Sequence, residues 1–127
     1  MTHRLPVRVY YEDTDLGQVV YYANYLRFIE RARSEWLREL GLDQAALKAQ
    51  GTVFAVRRIE AEYLAPACFD DLLTVETAVV GATPARVVLQ QQVLRGPTLL
   101  FDAGVTVVAV GAAGRPVRLP AALVALA

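Results

Sequence analysis

The sequence predicts an α+β domain in which an antiparallel sheet of about five strands packs on one long helix. Three observations predict it. One segment, residues 23–40, carries helical periodicity. Five others read as strands. The turns between the last three strands are short, which requires antiparallel pairing. The 127 residues fit a single domain, 1–127. A hydrophobic fraction of 55% supplies a core and leaves apolar surface for a partner.

Residues 5–11 form the first expected strand, with Val7, Val9 and Tyr11 on one face. Residues 12–18 are polar, contain Gly17 and read as a loop. In the helix, Tyr25, Phe28, Ile29, Ala32, Trp36 and Leu40 share one arc at 100° per residue, with Leu26 and Leu37 at its edge. Arg33 and Glu39 fall inside that apolar arc, and Arg31 and Glu35 are spaced to pair on the opposite one. Gly41 is a natural stop. Residues 43–50 suit a second short helix, capped by Asp43 and stopped by Gly51.

From Thr52 the pattern is strand-like. Ile59, Ala61 and Tyr63 alternate with Arg58, Glu60 and Glu62 until Ala65-Pro66-Ala67 breaks the strand. Residues 72–80, 86–94 and 99–110 follow, separated by Gly81-Ala82-Thr83-Pro84 and Arg95-Gly96-Pro97-Thr98. The last strand places Leu99, Phe101, Val105 and Val107 on one side and Leu100, Val108 and Val110 on the other. One helix covers one face only, so a second copy of the chain is the simplest cover for the other.

Thirteen basic residues balance thirteen acidic ones, which argues against a nucleic-acid partner and against attraction to anionic membranes. No window reaches the length of a membrane span, and the N-terminus lacks an apolar signal core. A single cysteine, Cys68, excludes an intrachain disulfide and a four-cysteine zinc site. The one histidine, His3, sits in a terminus expected to be mobile and disordered, too little for a metal site or a Ser-His-Asp triad. A soluble, reducing, cytoplasmic setting is expected, with no metal and no cofactor.

The chemically informative stretch is Tyr11-Glu12-Asp13-Thr14-Asp15-Leu16-Gly17-Gln18-Val19-Val20-Tyr21-Tyr22-Ala23-Asn24-Tyr25. It sets carboxylates just ahead of a helix start. Unpaired N–H groups there can hold a carbonyl oxygen as it becomes an oxyanion. A carboxylate can attack a thioester or activate water to do so. By spacing alone, Asp13 and Asp15 serve equally as turn and capping residues. A calcium loop of the EF-hand type fails, because its sixth and twelfth positions, counted from Asp13, hold Gln18 and Asn24 instead of Gly and Glu.

This stretch resembles the signature of the 4-hydroxybenzoyl-CoA thioesterases and of the Tol–Pal-associated acyl-CoA thioesterases, both of the hotdog superfamily. The likeness continues through Phe28-Ile29-Glu30-Arg31-Ala32-Arg33, Phe54-Ala55-Val56-Arg57-Arg58, Glu62-Tyr63-Leu64-Ala65-Pro66-Ala67 and Asp70-Asp71. The resemblance implies a hotdog, a sheet wrapped around the long helix. It implies sheets paired edge to edge as dimers or dimers of dimers, with active sites at subunit interfaces. It implies hydrolysis of an aromatic or short-chain acyl-CoA, coenzyme A being part of the substrate. Asp15 matches the catalytic carboxylate, and the Tyr22 backbone N–H matches the oxyanion donor. Gly17, Val19, Asn24 and Tyr25 are the accompanying candidates at the substrate site. Many Tol–Pal-associated members have His at position 22, so Tyr22 removes the obvious imidazole and favours the 4-hydroxybenzoyl type. Gln18 stands where Gly is common.

Arg57, Arg58 and Arg86 are candidates for the coenzyme A phosphates. Tyr25, Phe28 and Trp36 read first as core. Gln91 shares a strand face with Leu89 and Val93 and is a candidate for a polar interface, while Cys68 reads as an inert buried thiol. Two rival functions stand beside hydrolysis. One is a hotdog dehydratase, which needs a histidine. The other is a non-catalytic module that binds acyl-CoA or an acyl carrier.

Overall fold

A computed structural model describes residues 2–126. Strand β1 (Thr2–Arg8) leads through a one-turn 3-10 helix (Tyr11–Asp13) to helix α1 (Asn24–Glu39) and the short helix α2 (Gln44–Ala49). Strands β2 (Val53–Tyr63), β3 (Leu72–Ala82), β4 (Val87–Arg95) and β5 (Thr98–Val110) follow. The chain ends with a two-residue strand β6 (Pro116–Val117) and a one-turn helix α3 (Ala121–Val124). The sheet runs β1-β3-β4-β5-β2, antiparallel throughout, with β6 beside β5.

Helix α1 forms where the apolar arc predicts it. Tyr25, Phe28, Ile29, Ala32, Trp36 and Leu37 are buried, and the helix packs on β1, β3 and β4. Gly41 ends it at φ +82°, where its N–H donates to Arg38 O and that of Leu42 to Leu37 O, the double bond of a Schellman stop. Asp43 caps α2 by accepting from the N–H groups of Ala45 and Ala46. Across the sheet, Leu73, Val75, Leu89, Val93, Phe101 and Val105 complete the core.

Several expectations are corrected. β1 begins earlier and ends before Tyr11, because Tyr10 N–H bonds the Asp13 carboxylate and the chain turns instead of extending. Tyr11 is exposed. His3 is no mobile terminal residue. It pairs with Thr77 in the sheet, its side chain is 11% exposed, and Nε2 meets Glu39 at 3.1 Å. Glu35 pairs with Arg38, not Arg31, whose guanidinium lies over the Phe28 ring. Leu99 and Phe101 do not share a side, because a bulge at Leu100 breaks the alternation and leaves Leu94 opposite Leu99 but Val93 opposite Phe101. Cys68 is exposed.

Gln91 shares its face with Leu89 and Val93, as expected, but that face is the core and not a polar interface. Fully buried, Gln91 donates to Ile29 O (2.8 Å) and Thr77 Oγ1 (2.9 Å) and accepts from Arg33 (2.8 Å). This explains Arg33 within the apolar arc. Burial pushes its guanidinium below the usual arginine value, against the opposing pull of Glu30.

Edge strand β2 is the exception to good burial. Register with β5 turns Val56, Ile59 and Tyr63 to the same side as buried Val107, Val105 and Phe101, yet all three are exposed. A bulge at Arg57 keeps these residues on that side.

Candidate active site

The loop before α1 is built on Asp13. One carboxylate oxygen accepts from Tyr10 N–H and the other from the Asn24 amide, each at 2.8 Å. Its carbonyl accepts from Tyr21 N–H at 2.9 Å. Asp13 is thus the turn residue that the bland reading allows: it closes the 3-10 turn onto Tyr10 N–H and ties that turn to the Asn24 side chain at the first residue of α1, without capping the helix itself. Asn24 is buried against it.

Asp15 opens a tight hairpin. Its N–H donates to Val19 O and its carbonyl accepts from Gln18 N–H, both at 2.9 Å. Its carboxylate accepts from Gly17 N–H at 2.9 Å. Asp15 is exposed in the protomer, and its second carboxylate oxygen has no protein partner among the described residues. A Cβ on residue 17 would stand 3.3 Å from Asp15 Oδ1, so Gly17 lets the carboxylate keep its place. Gln18 takes φ +61°, the left-handed region that favours glycine. Relieving that strain outweighs the extra freedom glycine gains on unfolding. Gln18→Gly is therefore expected to stabilise the fold by about 0.5–1 kcal/mol, read as a rise of a few degrees in Tm. A lower Tm would refute this account of the turn.

The hairpin is tied to the corner after β2. Val20 N–H donates to Ala67 O (2.8 Å), Phe69 N–H to Gln18 O (3.1 Å), and Val19 bridges to Cys68. That corner rests on Asp71, which accepts from Cys68 N–H at 2.8 Å and from Arg95 at 2.9 Å. The Cys68 N–H holds the Asp71 carboxyl below its ordinary value of 3.8; burial opposes it, and Arg95 adds to the lowering through its hydrogen bond and its charge. A depressed folded-state pKa contributes stability above the unfolded value. That contribution is lost as pH falls through the folded value. Urea unfolding from pH 6 to pH 3 should show a shallower acid loss of stability in Asp71→Asn than in wild type. Parallel curves would remove Asp71 from the account.

Tyr22 stands at the helix start, and its ring is exposed. Its backbone N–H has no acceptor among the described residues, and neither has that of Ala23. The Tyr22 carbonyl accepts from the Tyr63 hydroxyl at 2.8 Å. Val20, Tyr22, Tyr25, Tyr63, Leu64 and Pro66 line an open, mainly apolar cleft here. Tyr25 lies mostly in the core, stacked on Phe101 at 5.0 Å, with its hydroxyl accepting from Ala67 N–H. Burial raises its phenol pKa. A more enclosed cavity of about 120 Å³ lies further along α1, between Arg33, Trp36, Phe54 and Val107, and holds none of the expected site residues.

The protomer thus gathers Asp15, Gly17, Val19, Tyr22, Asn24 and Tyr25 in and around one loop. The arginines stand elsewhere. Arg57 is the bulge residue in mid-β2, Arg58 pairs with Glu60, and Arg86 lies in the β3–β4 turn. Six residues of strand, roughly 20 Å, separate Arg57 from Tyr63. Tyr63 and Asp71 were not among the expected site residues. The tyrosine did sit in a quoted motif, but nothing local in the sequence points its hydroxyl at a helix start.

Residues 9–126 match the model of the thioesterase-like superfamily. The chain is 45% identical over 124 residues to the acyl-CoA thioester hydrolase YbgC of Escherichia coli O6:H1 (strain CFT073), covering 96% of this chain and 92% of that one. It is 44% identical over 117 residues to the acyl-CoA thioesterase YbgC of Haemophilus influenzae (strain Rd), covering 91% and 86%. Among solved structures, a "Probable Thioesterase" from Bartonella henselae superposes with a TM-score of 0.90 at 39% identity, covering 94% of this chain and all of that one. With its antiparallel sheet wrapped on one long helix and its sequence matched from Val9 almost to its end, the chain belongs to the thioesterase-like superfamily and has the hotdog fold.

Proposed function

We propose that the protein hydrolyses an acyl-CoA thioester, aromatic or short-chain, to the free acid and coenzyme A. The Asp15 carboxylate attacks the thioester carbonyl or draws the proton from an attacking water. The Tyr22 N–H, with the positive end of the α1 dipole behind it, receives the developing oxyanion. The observation that carries this reading is the unbonded Tyr22 amide at a helix start, beside an apolar cleft and next to the hairpin that holds Asp15. The names of the relatives point the same way.

The working unit is a homo-oligomer, a dimer or dimer of dimers, joined first through β2. This eleven-residue edge strand carries exposed Val56, Ile59 and Tyr63 on the side that faces the core, the kind of edge a second strand covers. Contact of Arg57, Arg58 or Arg86 with coenzyme A phosphates depends on that assembly. No helix of the described residues is long and apolar enough to cross a membrane. The reaction is placed in the cytoplasm, where the exposed Cys68 thiol would stay reduced.

Geometry disfavours the dehydratase reading. His3 meets Glu39 at the far end of α1, about 24 Å from Tyr22 by the length of a sixteen-residue helix. Thiol release from benzoyl-, phenylacetyl- and aliphatic acyl-CoA esters of increasing length tests the proposal. Turnover of at least one ester is expected. Binding of these esters without thiol release would favour the non-catalytic module.

A further inference from the structure

The oxyanion donor assigned above depends on how the peptides around Tyr22 are held. Within the loop, Asp13 holds Tyr21 N–H and the Asn24 side chain. Among the described residues, the peptide between them, joining Tyr22 to Ala23, is braced from outside the loop by one group. This is the hydroxyl of Tyr63, forty-one residues away, which donates to the Tyr22 carbonyl at 2.8 Å. The hydroxyl is itself aimed by rigid neighbours. The Tyr63 ring packs edge-on against Phe101 at 4.9 Å and Tyr25 at 5.5 Å, and those two rings stack on each other. Burial raises the Tyr63 phenol pKa, with Tyr22 and Tyr25 adding to the effect, so it remains a donor at neutral pH.

On either side of this brace lie the two amides without acceptors, Tyr22 N–H and Ala23 N–H. The second belongs to the very peptide whose carbonyl Tyr63 holds. A hydrogen bond accepted at a peptide carbonyl also polarises the N–H at its other end.

We propose that Tyr63 is a positioning residue for hydrolysis: its hydroxyl locks the Tyr22–Ala23 peptide so that two successive N–H groups converge on the thioester oxygen. The proposal rests on the thioesterase reading and adds Ala23 N–H as a second donor. It places the effect on the transition state, where charge reaches the oxygen, and not on ground-state binding.

Tyr63→Phe keeps the ring and its packing and removes only the hydroxyl. With a thioester that the wild type turns over, kcat should fall about 10- to 30-fold, as for loosening an oxyanion site without deleting its donor, while KM changes less than about threefold. In the labelled protein, the Ala23 backbone amide resonance should shift, since its peptide loses a carbonyl hydrogen bond. Unchanged kcat, a change in KM alone, or an unmoved Ala23 resonance would each overturn the proposal. So would a fall in activity that only tracks the fraction unfolded. Absence of thioester turnover in the wild type would overturn the underlying reading and this proposal together, whereas an active wild type with an equally active Tyr63→Phe defeats this proposal alone.

Discussion

Asp15→Asn is expected to lower thioester turnover by about 10²- to 10⁴-fold, the range for loss of a general base or nucleophile, while leaving Tm nearly unchanged. The contrast follows from what each part of the side chain does. The Oδ1 atom accepts from Gly17 N–H and shapes the hairpin, and the amide oxygen of asparagine does the same. What disappears is the negative charge and the free second oxygen. Asp15→Ala removes the turn bond as well. It should add a modest loss of stability, about 1 kcal/mol, to the same loss of activity. Assay of both variants beside wild type, with thermal melts, separates the two roles. Undiminished turnover in folded Asp15→Asn would remove Asp15 from catalysis.

Gln91→Met should cause the largest loss of stability of any single change considered, about 2–4 kcal/mol. The new side chain has nearly the same shape, so packing is largely kept. Three hydrogen bonds are lost, to Ile29 O, Thr77 Oγ1 and Arg33. The damage is greatest at Arg33, a half-buried cation left without the acceptor it now has. Adding Arg33→Met to Gln91→Met should therefore cost less than the sum of the two single changes, because no lone charge remains. Denaturant melts of all four proteins test this. Strict additivity would mean that the two side chains do not work as a pair.

Gln91 also shows where sequence reading reached its limit. Alternation placed it, correctly, on one face with Leu89 and Val93, but read that face as a candidate interface where it is core. That its partners would be the carbonyl of Ile29 and an arginine inside an apolar helical arc depends on how α1 is rotated over the sheet, which no local pattern encodes. The helix itself was legible, because a 100° repeat of large apolar residues has few other uses. So were the turns marked by Gly and Pro.

Strand ends and bulges were not. A side-chain acceptor at Asp13 stopped β1, and single extra residues at Arg57 and Leu100 shifted the alternation by one. The last turn of chain, with Leu119 and Leu123 in the core, carries too short a pattern to read. At the candidate site, the loop before α1 was recognisable by motif; spacing alone left Asp13 and Asp15 equal, the resemblance pointed to Asp15, and the structure gives the two carboxylates different surroundings. One is tied into the helix start and the other has an oxygen free. Tyr22 and overall similarity pull in different directions. The tyrosine leans toward the 4-hydroxybenzoyl-CoA type, while the 45% and 44% identities are to proteins named YbgC. One position weighs less than identity spread over the whole chain.

The most direct test is a crystal structure of Asp15→Asn holding an intact acyl-CoA that the wild type hydrolyses. The account places the thioester oxygen within hydrogen-bonding distance of Tyr22 N, with its carbonyl carbon facing the side chain at position 15. A thioester bound elsewhere, with the Tyr22 amide turned to water in every subunit, would contradict it.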